Sequence, residues 1–283
     1  MARIVRYVVG IEGLALLRGW LRDEGSTDER LQEIEAFLRD RASHPVLSLD
    51  LPLPEVAVLE GYASWAETYD AVPNPLIQLE EPVVRGIVDR TSPGRALDAA
   101  CGTGRWAGEL VARGHSVIGV DETPAMLERA RGKVPSADLR LGRLESLPVD
   151  TASVDFAICA LALAHCADLE PPIRELARVL RPGGRLVVTD LHPVNVIVGG
   201  GALFQKAGGG YGLVRGYAHG HGDYVQAFGA AGLEIARCVE PTWRDEDVAL
   251  VAGGLSALAP EAFRSAIVGL PGALVWEVVR RGQ

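Results

Sequence analysis

Apolar residues fall at mixed three- and four-residue spacings over residues 4–20 and again over 27–40, where Leu31, Ile34, Phe37 and Leu38 mark one face. That spacing predicts two helices, and the polar "DEGSTD" between them predicts a turn. Three prolines in "HPVLSLDLPLPEV", residues 44–56, predict an extended linker. Helical spacing returns in "VLEGYASWAETYD" (58–70) and "LIQLEEPVVRGIVDR" (76–90).

From residue 94 the pattern changes. "GRALDAA", "HSVIGVD", "ADLRLG", "SVDFAICALAL" and "GRLVVTD" read as strands. Residues 102–114, "TPAMLERARGK" and "EPPIRELARVL" read as the helices between them, with Thr123 as a cap and Pro124 at the first helical position. This alternation predicts a parallel sheet with right-handed crossovers. The continuous apolar runs at 117–120 and 186–188 fit strands covered on both faces. After Asp190 the rhythm breaks. Residues 193–222 are rich in glycine, which predicts an irregular functional loop or lid. "DYVQAFGAAGLEIARCVEPTW" then predicts a helix and a strand, and "GALVWEVVRR" a last strand.

Charge narrows the function classes. The 283 residues hold 28 Lys and Arg against 37 Asp and Glu, a formal charge of −9, which argues against binding nucleic acid through its phosphates. The four cysteines are scattered, so neither a disulfide framework nor a clustered zinc site is expected. Near the start, Glu12 and Arg18 interrupt the apolar run and no small-residue cleavage site follows. No segment reaches the roughly 18 uninterrupted apolar residues of a membrane span. A cytoplasmic protein without membrane association is the expectation.

The chemistry concentrates in "LDAACGTGRWAGEL", residues 97–110. A strand-to-helix turn with Gly102 and Gly104 lets backbone approach a ligand and points helix N–H groups at it. "GTGRWA" satisfies the alanine form of the dinucleotide fingerprint through Ala107, and Asp121 ends the next strand, where a carboxylate accepts hydrogen bonds from ribose hydroxyls. The same glycines also suit close helix–strand packing, and Asp121 also suits a helix N-terminus.

Four stretches in order, "LDAACGTG", "VIGVDETPAMLERAR", "SLPVDTASVDFAICALALAHC" and "RVLRPGGRLVVTD", resemble the class I S-adenosylmethionine-dependent methyltransferases of the type 11, small-molecule branch. The resemblance covers residues 60–190 by motif and 232–280 by pattern. It implies a Rossmann-like, doubly wound α/β fold of seven strands, the last antiparallel, with an N-terminal helical cap. The division it suggests is a helical segment and linker at 1–57 and a methyltransferase domain at 58–283, with 193–231 as a lid or substrate-binding insertion. It implies S-adenosylmethionine as cofactor, with Asp98 and the turn of Ala100, Gly102 and Gly104 at its methionine part. Asp121 would take the ribose, Glu122 and Met126 the adenine, and Tyr69 and Ala160 would also meet the cofactor. Two positions depart from the family pattern. Ala100 stands at a usual glycine, which is tolerable where the backbone angle is ordinary. Gly142-Arg143 stands where Gly-Asp is usual, and an arginine cannot accept a hydrogen bond from the adenine amino group, so the Leu144 backbone or Glu145 is expected to take over.

Methyl transfer needs a general base only where the acceptor must lose a proton. The catalytic candidates are His192, at a strand's carboxyl end, and Tyr62, which shares a helix face with Trp65 and Tyr69. His165, His192, Tyr217, His219, His221 and Tyr224 are candidates for the acceptor site, while Asp223 reads as a helix N-cap. His219 and His221 form a His-x-His pair with no third ligand at a suitable spacing, and no metal is expected. The expected acceptor is a small, aromatic organic molecule methylated on O, N or C. Two rivals are an NAD-dependent oxidoreductase and a non-transferring cofactor binder. The first lacks a Tyr-x-x-x-Lys pattern, with lysine only at 133 and 206. Apolar residues in 4–20 suggest a homodimer contact.

Overall fold

The structure, a computed structural model, describes residues 2–21, 27–39, 45–206 and 209–282. Residues 23–26 of the expected "DEGSTD" turn, Asp40 at the end of the second helix and His44 at the start of the linker lie outside them.

The chain begins with β1 (Ala2–Arg3), α1 (Ile4–Gly19), α2 (Thr27–Arg39) and β2 (Asp50–Leu51), and β1 pairs antiparallel with β2. Next come β3 (Glu55–Val56), α3 (Val58–Trp65) and α4 (Pro75–Val88), so the helix expected over 58–70 stops at Trp65. The alternating region supplies β4 (Arg95–Ala99), α5 (Arg105–Ala112), β5 (Ser116–Asp121), α6 (Pro124–Lys133), β6 (Asp138–Leu141) and β7 (Val154–Ala160). It continues through α7 (Glu170–Val179) and β8 (Leu180–Leu191). There follow α8 (Pro193–Ile197), β9 (Ala202–Gln205), β10 (Tyr211–Val214), α9 (His221–Ala230) and β11 (Leu233–Val239). The last elements are α10 (Val248–Val251), α11 (Pro260–Ile267) and β12 (Ala273–Arg280).

Seven strands form one sheet in the order β11-β12-β8-β7-β4-β5-β6, all running one way except β12, which pairs antiparallel with β8 and β11. Alternate residues of its central strands feed two cores. Ala96, Phe156, Ile158 and Val187 pack with Val84, Ile87 and Val88 of α4 and Ala107 and Leu110 of α5. Leu97, Ala157, Cys159 and Val188 pack on the other face with Ile173 and Leu176 of α7 and Tyr224 and Phe228 of α9. Two-sided burial is why these strands read as continuous apolar runs.

Two compact units emerge. One comprises Met1–Pro54, Pro73–Pro75 and Thr242–Leu270; the other comprises Glu55–Val72, Leu76–Pro241 and Pro271–Gln283. In the first, the Arg18 guanidinium donates to the carbonyls of Ser265, Ala266 and Val268 at 2.7–2.9 Å, placing a cation at the C-terminal end of α11. That long-range capping binds the 242–270 segment to the N-terminal helices, which sequence adjacency could not reveal.

Residues 193–222, expected to be irregular, carry α8, β9 and β10. In the second unit β9 and β10 pair antiparallel, and β10 joins β3 in parallel register. Among the described residues, no helix is long and apolar enough to cross a membrane.

Candidate active site

Asp98 is buried within β4 and accepts the N–H of Ala107 at 2.7 Å, satisfying a first-turn donor of α5. Burial pushes its carboxyl up to about 7, with the Ala107 hydrogen bond acting in the opposite direction. Beyond β4 every second residue is left-handed: φ is +57° at Ala100, +53° at Gly102 and +86° at Gly104. The ordinary angle expected at Ala100 is therefore corrected. The turn demands this conformation because Cys101 N–H bonds Val120 O at 2.9 Å and Gly104 N–H bonds Cys101 O at 2.8 Å. Gly104 serves packing, since a Cβ there would stand 3.2 Å from the Ala130 Cβ. Gly102 is different. A Cβ on it would meet no atom within 4 Å, so its open side borders free space.

Asp121, the last residue of β5, spreads its carboxylate between two backbone donors, Gly102 N–H and Thr123 N–H, each at 2.8 Å. Burial raises its pKa while both hydrogen bonds oppose the rise. Each oxygen keeps lone-pair capacity after one such bond.

Ala100, Gly102, Asp121 and Thr123 border a cavity of about 340 Å³ at the carboxyl ends of β4, β5 and β7. Open α/β sheets bind ligands at such strand ends, and the volume lies within the range of small-molecule pockets. Tyr62, Tyr69, Ala100, Gly102, Asp121, Glu122, Met126, Leu144, Glu145, Ala160 and His165 all line it. At its rim Arg143 reaches Glu145 at 3.3 Å and Glu122 at 3.7 Å, bridging two carboxylates. The signal missed in sequence is Leu161, Ala162 and Cys166, which follow β7 and line the cavity; the strand-end rule points to them. Val58 and Leu59 also line it, but an apolar first turn of a helix announces nothing.

One wall is aromatic. Tyr62 and Tyr69 flank Trp65 with ring centroids 5.7 and 4.9 Å from it, and Trp65 stacks on Phe204 of β9 at 5.3 Å. Asp70, just beyond Tyr69, accepts from Thr103 at 2.9 Å and pairs with Lys133, which ties this segment to the glycine turn. The Tyr62 hydroxyl lies 2.8 Å from His165 Nε2, and His165 Nδ1 lies 3.1 Å from the Arg215 carbonyl. A carbonyl only accepts, so the imidazole hydrogen resides on Nδ1 and Nε2 accepts from Tyr62. Burial lowers the pKa of His165 and keeps it neutral.

The other candidates fall outside this cavity. Asp98 and Gly104 stay behind the turn, as described. Tyr224 is fully buried against Trp276 and Phe228, with its hydroxyl donating to Asp190 at 2.5 Å; it is a core residue. Burial in the same place lifts the Asp190 carboxyl to about 7. His219 Nε2 donates to Cys166 O at 2.7 Å and Tyr217 N–H to Ala164 O at 2.7 Å, so both anchor the chain ahead of α9. Gly220, not Asp223, occupies the N-cap of α9, and Asp223 accepts the Gly220 N–H from the third helical position at 2.7 Å. His192 caps α8, its Nδ1 accepting from Val194 N–H at 3.3 Å, and its Nε2 lies 3.2 Å from Glu240. His221 Nε2 lies 3.2 Å from the other Glu240 oxygen. His192 is therefore not brought to the cavity.

Residues 97–188 match a family model described as a methyltransferase domain. The chain is 32% identical over 193 residues to the biotin biosynthesis bifunctional protein BioHC of Cellvibrio japonicus, covering 66% of this chain and 37% of that one. It is 30% identical over 220 residues to an uncharacterized methyltransferase of Emericella nidulans, covering 64% of this chain and 77% of the relative. The chain thus spans only 37% of the first curated relatives it matches. The solved DhpI–SAH complex shares the fold at a TM-score of 0.56 and 18% identity, over 80% of this chain and 96% of that one. With its sheet order, its glycine turn and relatives matched along most of a chain, this protein belongs to the class I S-adenosylmethionine-dependent methyltransferases.

Proposed function

We propose that this chain binds S-adenosylmethionine in the cavity at β4, β5 and β7 and methylates a small organic molecule there. The observation that carries the reading is the convergence, in one cavity, of the open side of Gly102, the Asp121 carboxylate and the paired Tyr62 and His165. The residues present fit an adenosyl cofactor: Asp121 offers acceptor capacity for ribose hydroxyls, and Gly102 leaves room for close backbone approach. Glu122, Met126 and the Leu144 backbone would border the adenine, and Ala100 and Gly102 the methionine end. When bound, the cofactor supplies an electrophilic methyl carbon on a sulfonium.

This chain's own residues align the acceptor and handle its proton. Alignment alone contributes on the order of 7–11 kcal/mol in well-oriented systems. The Tyr62 oxygen accepts a hydrogen bond from the acceptor's O–H or N–H while its own hydrogen points to His165 Nε2. As the acceptor loses its proton, Tyr62 takes it and passes its own to His165, whose Nδ1–H is held by Arg215 O. The aromatic wall of Tyr62 and Tyr69, backed by Trp65, favours a flat acceptor.

Incubation with methyl-labelled S-adenosylmethionine and a broad panel of small metabolites tests this, with mass spectrometry of the products. A labelled product supports transfer and names the acceptor class. Confirmed cofactor binding without label on any acceptor favours a non-transferring role, and absence of binding sinks the cofactor assignment.

A further inference from the structure

His192 follows the carboxyl end of β8, Glu240 follows the carboxyl end of β11, and His221 opens α9. These strands run in the same direction on either side of β12, so both ends emerge at one edge of the sheet. One ligand atom from each of the three side chains lies within 4.8 Å of the others. The Glu240 carboxylate gives one oxygen to each imidazole, 3.2 Å from His192 Nε2 and 3.2 Å from His221 Nε2. Despite that proximity, His221 Nε2 has no solvent access and no hydrogen bond of adequate geometry. The nitrogen is therefore shielded from solvent and within reach of Glu240 without being hydrogen-bonded to it.

We propose that His192, His221 and Glu240 form a three-ligand site for a divalent transition cation, with Zn²⁺ the best match. Two imidazoles and a carboxylate suit zinc with a fourth position left to water, whereas magnesium and calcium take oxygen ligands. Zinc bonds of about 2.0–2.1 Å to tetrahedral ligands set those ligands about 3.3–3.4 Å apart, and one ligand atom from each residue already lies within 4.8 Å of the others, so side-chain rotation alone can bring them to that spacing. The His192 hydrogen sits on Nε2 and points to Glu240, because Nδ1 accepts from Val194 N–H. The cation displaces that hydrogen, the imidazole carries one on Nδ1 instead, and the long 3.3 Å cap to Val194 opens. His192 and His221 bracket residues 193–220, so the cation staples both ends of the segment that contains α8, β9 and β10.

The test is calorimetric titration of the tag-free full chain with Zn²⁺, repeated with Glu240→Gln and His221→Ala. Binding of one Zn²⁺ per chain is expected, weakened about tenfold or more by either substitution. Co²⁺ gives an independent readout: visible absorption of tetrahedral Co²⁺ should appear in the parent protein and vanish in His221→Ala. No saturable binding, weakening in only one variant, or Co²⁺ absorption that persists without His221 overturns the site. Methyl transfer is not measured, so this result stands apart from the transferase reading.

Discussion

The Tyr62 hydroxyl and His165 Nε2 meet at 2.8 Å although 103 positions separate the two residues, and the Arg215 carbonyl fixes which imidazole nitrogen accepts. General-base assistance contributes about 10²–10⁴-fold in comparable systems. Tyr62→Phe and His165→Gln should therefore lower kcat by about 10²-fold or more for acceptors that lose a proton, with cofactor affinity unchanged. Equal loss of cofactor binding in both variants would place the pair in a structural role instead.

The same pair predicts a pH profile. The relay works only while His165 Nε2 is unprotonated, and burial lowers the pKa of this imidazole. Activity should hold as pH falls past the ordinary histidine value near 6.5 and decline only below it. The check is kcat/KM against pH, with the acid limb missing in His165→Gln. A limb at or above the ordinary value contradicts the assignment.

Ala100 carries its methyl group at φ +57°. The left-handed region costs an L-residue roughly 1–2 kcal/mol, offset in part by the roughly 0.5–1 kcal/mol that glycine adds to unfolded-state freedom. Ala100→Gly should stabilise the chain by about 1 kcal/mol or less in urea unfolding. Clear destabilisation would mean the turn relaxes to another backbone angle.

Asp121 holds Gly102 N–H and Thr123 N–H with its two oxygens. Asparagine turns one oxygen into a donor that faces another donor. A hydrogen bond to a charged group is worth about 1.5–3 kcal/mol, so Asp121→Asn should weaken binding of S-adenosylhomocysteine by about 10–100-fold. Titration calorimetry decides it, and unchanged affinity would remove Asp121 from the site.

Asp98 and Asp190 are both fully buried and both are lifted to about 7. A folded-state pKa above the unfolded one means that folding retains protons the unfolded chain has released. Stability from this source is complete below about pH 4 and is lost as pH rises to about 7, by at most on the order of 4 kcal/mol per group. Unfolding midpoints in urea between pH 5 and pH 8 should fall, and Asp190→Asn should flatten the slope.

Local sequence determined the alternation of strands and helices from residue 94, the two-sided sheet, the tight turn at Gly102 and Gly104 and the position of Asp121 at a strand end. These are legible because each follows from a residue's neighbours: side-chain period sets strand or helix, and a tight turn demands glycine. What the tertiary structure alone decided depends on residues far apart in the chain. The hydrogen bond of Tyr62 to His165, the arrival of Glu240 beside two histidines, the pairing of β10 with β3 and the grouping of 242–270 with the first helices all require loop closure over tens to hundreds of residues. Such contacts leave no local spacing behind. Even the backbone angle at Ala100 was set this way, because Cys101 must reach Val120 on the neighbouring strand.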